Sequence, residues 1–175
     1  MDSRKLERSE SAESRTGRAV PAIASVVGGL AVAVWLGGLL ALGAIAAPLV
    51  FANVSFPQSA DAMTLVFRRF DMVAMTCAAI AMASEATKVA ARVAFGRADH
   101  LRAGLTVVAA ILAVVEGTLV SPRIAALHGA GVMRGMGVAG ETLSHLHDIA
   151  EALGKTELVL LAIVLGLLIV RPGAR

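Results

Sequence analysis

Tyrosine is absent from the 175-residue sequence, and tryptophan and cysteine occur once each, as Trp35 and Cys77. A lone thiol closes no internal disulfide and leaves the redox compartment open, so Cys77 reads as a small buried hydrophobe. There is no Cys-x-x-Cys, no His-Glu-x-x-His, no Gly-x-Ser-x-Gly and no phosphate loop. These absences remove the common zinc, serine-hydrolase and nucleotide-binding chemistries. Aromatic residues are only 3% of the chain, so the belt that usually marks the two membrane interfaces is missing. Charge is also sparse, with 16 Lys and Arg against 13 Asp and Glu, a net +3 too mild to indicate nucleic acid. No partner of that class is expected.

What fills the chain is hydrocarbon. Hydrophobic residues make up 57% and charged ones 17%, and mean hydropathy is +0.78. A soluble domain carries about 45–50% apolar and about 25% charged residues. The apolar residues come in long blocks, which implies an all-α integral membrane protein. Four spans are expected, at about residues 20–47, 71–92, 101–121 and 151–170, within one domain over residues 19–172. Residues 1–18 read as a disordered polar tail, and residues 122–150 as an outer loop with an amphipathic helix. The first apolar run is longer than the about 7–15 residues of a signal-peptide core, so it is expected to stay in the chain as a span. Pro48 and Pro122 are expected to end the first and third spans.

An even number of spans puts both termini on one side of the membrane. Arg4, Lys5, Arg8, Arg15, Arg18, Lys88, Arg92, Arg97, Arg102, Arg171 and Arg175 fall on that side. Arg68, Arg69, Arg123, Arg134 and Lys155 fall on the other. The positive-inside rule makes the richer side the cytoplasm, which predicts a bacterial inner-membrane protein with both termini inside. Small residues recur every four positions in three spans: Ser25, Gly29, Ala33, Gly37 and Ala41; Ala79, Ala83, Thr87 and Ala91; Ala109, Ala113, Gly117 and Ser121. Such rows let helix backbones approach in lipid, which predicts a close-packed bundle. They also offer a homo-oligomer or partner face through Gly29, Ala33 and Gly37.

The last apolar block, residues 158–170, is too short to cross the hydrocarbon, which takes about 20 residues. Its helix must reach back to about residue 151, and Glu157 is drawn into the membrane. At 100° per residue, Glu141, Ser144, His145, His147, Asp148, Glu151 and Lys155 form one polar arc. Leu143, Leu146, Ile149, Ala150 and Leu153 fill the opposite arc. Glu157 falls on the apolar arc and so faces the other helices. His145 and His147 lie about 200° apart and cannot bind one metal from one helix.

Glu116 is set at a similar depth near the outer end of the third span. An ionisable group at such depth costs about 2.5–3.5 kcal/mol to insert, and it marks either a functional site or interhelical glue. Two such carboxyls placed together favour uptake of a proton, and Arg123, Arg68 or Arg69 are alternative partners. Glu85 is a third intramembrane carboxylate, with Lys88 three residues on and Arg92 on the same face, and reads as a snorkelled ion pair. Arg123, His128, His145, His147 and Asp148 are candidates for an outer rim. Met63, Met72, Met75, Met133 and Met136 with His128 make a weak soft-metal option beside ordinary gap-filling methionine. No cofactor is assigned, and no span centre holds a histidine pair for haem.

Two stretches carry a family resemblance. "WLGGLLALGAIAAPLVF" at residues 35–51 is followed by "VFRRFD" at 66–71, and "SPRIAALH" at 121–128 by "LSHLHDIAEALGKTELVLLAIVL". Together they resemble the bacterial four-span family of domain of unknown function 4149, related to transmembrane protein 205. Its Trp-x-Gly-rich first span ending in Ala-Pro-x-x-Phe is matched by Ala47, Pro48 and Phe51. Its Pro-Arg turn is matched by Pro122 and Arg123, and its Leu-His step by Leu146 and His147. Glu151, Lys155 and Glu157 make the last helix more charged than that pattern. The resemblance implies a four-helix membrane bundle and no established activity.

Three functions are therefore weighed. The first is binding or movement of a cation or proton by Glu116 and Glu157. The second is a non-catalytic assembly subunit packing through its small-residue rows. The third, a membrane enzyme using haem or quinone, is the least favoured, since no catalytic motif is present.

Overall fold

The computed structural model describes residues 3–91 and 96–170, with side chains from residue 19 onward. Every regular element among the described residues is helical. Helix α1 covers Ser3–Leu40, and a π-helical segment, Ala41–Ala46, joins it to α2, Ala47–Asn53. Helix α3 covers Gln58–Ala90 and α4 Arg97–Val115. A second π-helical segment, Glu116–Val120, leads into α5, Ser121–Gly129, and α6 covers Gly137–Val170. Arg92, Arg171 and Arg175, counted in the charge asymmetry, lie outside the described residues, as do the side chains of the expected polar tail.

Three helical stretches are long and apolar enough to cross a membrane: Ala19–Asn53, Arg97–Gly129 and Gly137–Val170. Helix α3 is long enough but is not one of these three; Asp61, Arg68, Arg69, Asp71, Glu85 and Lys88 all lie on it. The expectation of four apolar spans thus holds for three helices, in an all-helical transmembrane chain. The four long helices pack in a ring, α1 on α3, α3 on α4, α4 on α6 and α6 on α1. Leu168 near the end of α6 approaches Gly29 in α1, so the two outer helices of the sequence meet at one end, called here the terminal end.

The prolines do not end their helices. The N–H of Ala47 bonds to the carbonyl of Leu42, and that of Ser121 to Glu116, each a five-residue step. Pro48 and Pro122 follow directly, in the first turn of α2 and of α5. A proline inside a helix lacks its N–H and presses on the carbonyl four residues back. A widened turn just before it relieves both problems, so the chain stays helical past each proline. The first helical run therefore continues to Asn53 and the third to Gly129, beyond the expected ends at residues 47 and 121.

The core is built on Trp35, Ala109 and Leu161, all wholly buried, with Val32, Ala78 and Val164 around them. A smaller cluster of Val120, Ile124, Leu143 and Leu146 seals the opposite end. Outside, Ile23, Val26, Leu30, Val34, Ile111 and Ile163 are exposed, an apolar surface suited to lipid. The small-residue rows do not all pack into the bundle, as close packing of the helices led one to expect. Ala33, Gly37, Ala79 and Ala83 face outward. Only the α4 row turns inward, with Ala109, Ala113 and Ser121 buried. The close approach on α1 is made instead by Gly28 and Gly38. A Cβ at Gly28 would lie 2.5 Å from Ser84 Oγ, and one at Gly38 would run into the Phe70 ring. A row repeating every four residues drifts around the helix, so spacing alone does not say which side meets a neighbour.

Candidate functional site

Two groups of charged residues sit inside the helix ring, one towards each end. Towards the terminal end, Glu85 on α3 is gripped by Lys88 at 2.8 Å and Arg102 at 3.0 Å. Arg102 Nε also donates to Glu85 at 3.1 Å, so guanidinium and carboxylate meet as a fork. Asp99 takes the remaining arm of Arg102 at 2.8 Å. Arg102 and Lys88 are buried to 6% and 5% exposure. The expected pair with Lys88 is present, but Arg102 from the next helix is the stronger partner, and the cluster is buried rather than snorkelled. The proposed facing residue Arg92 lies outside the described residues.

The second group is arranged otherwise. Glu157 on α6 is 1% exposed, although it carries an ionisable group in an apolar helix. Its Oε2 accepts a 3.1 Å hydrogen bond from Trp35 Nε1, while Oε1 is buried without a partner. Buried indole N–H groups need an acceptor, which explains why the chain's single tryptophan lies mid-span instead of at an interface. Asp71 on α3 is 7% exposed and lies beside Ser121, and its Oδ2 has no partner among the described residues. Glu116 opens the second π-helical segment, where the wide turn presents it between the helices. Asp71, Glu116 and Glu157 lie near enough to one another for their charges to interact. All three line one cavity of about 550 Å³, walled by Leu39, Phe67, Phe70 and Leu158. Glu151 and Lys155, both exposed and paired with each other, stand at its edge.

A second cavity of about 300 Å³ lies beside the first and shares Phe67, Glu116 and Ala150 with it. Arg68, Arg134, Thr64, His128 and His147 supply its polar lining. Thr64 Oγ1 and His128 Nδ1 are 2.8 Å apart, and the His128 and His147 rings lie 5.5 Å centre to centre. Of the expected rim, His128 and His147 are therefore brought to the site. Arg123 and His145 are exposed and line neither cavity. Asp148 is exposed and engages Arg134 at 3.0 Å, which in turn reaches the second cavity. Met133 and Met136 are exposed at 48% and 64% and line neither cavity. Among the described residues no three His, Cys, Asp or Glu side chains converge tightly enough to hold a metal ion.

Sequence reasoning missed Asp71 and Trp35 as members of the site, while Arg68 was expected only as an alternative partner of the carboxyls. Asp71 looked like the first residue of a span, because the apolar pattern begins there. The helix instead starts at Gln58, thirteen positions earlier, and carries Asp71 to its middle. The available signal was the pair of solitary polar groups, Trp35 and Glu157, each in an otherwise apolar span. In hydrocarbon each has a strong reason to find the other.

Residues 30–132 match the family described as Domain of unknown function (DUF4149). No curated protein and no solved structure matches the chain.

Proposed function

The chain belongs to the family of domain of unknown function 4149, and from that premise we propose that it is a four-span inner-membrane protein whose Asp71, Glu116 and Glu157 bind and pass a proton or small cation. In this reading α3 crosses the bilayer with the three apolar helices, with Asp71, Glu85 and Lys88 turned inward and Asp61, Arg68 and Arg69 exposed near its start. Both termini are cytoplasmic, following the basic residues gathered at the terminal end. The carboxylate cavity then opens towards the outer face.

The observation that carries the proposal is the contrast within Glu157 itself. It is fully enclosed, yet half of its carboxylate has no donor. A group placed only to hold helices together satisfies its hydrogen bonds, because an unsatisfied buried oxygen costs about 1–3 kcal/mol or more if charged. Neighbouring carboxyls in an apolar setting are suited to hold protons or a cation between them. Because no metal-type cluster forms, the proton is the simplest cargo.

Reconstituted vesicles test this. With a trapped pH dye and an imposed membrane potential, wild-type protein should carry protons faster than Glu157→Gln or Asp71→Asn. Equal rates in all three, with every variant folded, reject the proposal. A C-terminal reporter active on the periplasmic side would reject the orientation.

The outward-facing row of Ala33 and Gly37 favours a second reading, an assembly subunit. Nothing lies within 4 Å of a Cβ placed at Gly37, so a neighbouring helix has room to approach there. A haem enzyme is disfavoured, since His128 and His147 lie against each other with no gap for a porphyrin.

A further inference from the structure

We propose that the cavity lined by Asp71, Glu116 and Glu157 is a binding site for an apolar ammonium compound, a protonated primary or secondary amine with an alkyl or aryl body. This deepens the carboxylate-site reading above and rests on it. A proton alone has no use for a chamber of about 550 Å³. A bare metal ion needs converging ligands, and among the described residues no such cluster exists. Its walls are Leu39, Phe67, Phe70 and Leu158, and its polar lining is the three carboxyls together with the Glu151–Lys155 pair at the edge. Ligand sites commonly have this character, apolar walls with a few placed polar groups.

The acceptors indicate what the polar end of the ligand must be. Asp71 Oδ2 and Glu157 Oε1 are both buried without donors, on residues that line the chamber. An ammonium brings several N–H donors and a positive charge together, which matches two unfilled carboxylate oxygens beside a third carboxyl. The protein's own cations nearby leave those oxygens unfilled. Lys155 holds Glu151 at the edge, and Arg68 is exposed and lines the adjoining cavity, close enough to Asp71 for their charges to interact but not hydrogen-bonded to it. Phe67 and Phe70 put aromatic rings in the lining, which suits a cation and an apolar body alike. A quaternary cation would leave the two oxygens unfilled, and an anion would meet three carboxyls.

Trp35 supplies the readout, being the only tryptophan in the chain and bonded to Glu157. The full chain in lipid nanodiscs is titrated with 2-phenylethylammonium, following tryptophan emission and equilibrium dialysis. Parallel titrations use 2-phenylethanol, tetraphenylphosphonium and sodium. The amine should bind saturably, with the alcohol and the phosphonium at least about tenfold weaker and sodium inert. Asp71→Asn and Glu157→Gln should each weaken the amine about tenfold or more, as loss of a charged hydrogen bond does, while Glu141→Gln on the exposed face of α6 keeps it. Equal binding of alcohol and amine overturns the inference on wild-type protein alone, whatever the variants do. Unchanged affinity in both folded carboxyl variants overturns it too. If wild-type vesicles move protons through Glu157 but bind no amine, this inference falls and the carboxylate site stands. If they do neither, both fall.

Discussion

The two charged groups inside the helix ring use the same residue types to opposite ends. Glu85 is held by three donors from Arg102 and Lys88, and Asp99 completes the arc around Arg102. Glu157 and Asp71 are buried more deeply by exposure, yet each keeps a carboxylate oxygen without a donor. Where every charge is answered, the cluster fixes the register of α3 against α4 and leaves nothing for a ligand. Where charges of one sign are gathered without donors, the fold carries an unfavourable arrangement that a ligand or proton relieves. Burial of a carboxylate is therefore a poor guide to function; its partnering distinguishes the two.

The largest expected effect comes from breaking the satisfied cluster. Arg102→Ala leaves Glu85 and Asp99 without their guanidinium, and removing one partner of a buried pair costs about 3–5 kcal/mol. Unfolding in mixed micelles should show that loss, with proton movement affected only through the amount of folded protein. Glu157→Gln should do the reverse, leaving stability unchanged or higher while removing transport; a loss comparable to Arg102→Ala would mean that both clusters are structural. An intermediate effect is expected for Trp35→Phe, about 1–3 kcal/mol by the same unfolding assay, because Glu157 then loses its only donor among the described residues.

Smaller effects separate packing from partner surfaces. Gly28→Ala drives a methyl against Ser84 and should cost about 1–3 kcal/mol. Gly37→Ala meets nothing within 4 Å and should gain up to about 1 kcal/mol from helix propensity. If Gly37→Ala instead lowers the oligomer fraction in cross-linking, the outward row is an interface. Lys155→Ala, at an exposed pair beside the cavity, should leave stability unchanged within error.

Legibility differed from residue to residue. Glu157 was legible because two local rules agree: the apolar block after it is too short to span, and its phase matches Leu143 and Leu146, which are buried with it. His147 and His128 were legible as candidates but not as neighbours. Glu85's bond to Lys88 lies within one turn, while its fork with Arg102 spans 17 residues and two helices. Pro48 and Pro122 misled as helix stops, since the π-helical turns that absorb them leave no residue-type signature here.

By itself the sequence determined what hydrophobicity and a period of 3.6 residues can determine. These are a transmembrane helical chain, three strongly apolar helices, the long amphipathic approach of α6, and a glutamate inside it facing inward. Only the tertiary structure decided that Asp71 joins Glu116 and Glu157, that Trp35 bonds to Glu157 across 122 residues, and that Gly28 and Gly38 rather than Gly29 and Gly37 take the close contacts. The reason is that a helix's own sequence sets which residues share a face. Its rotation and axial shift against its neighbours set what that face meets, and those emerge from all four helices packing at once.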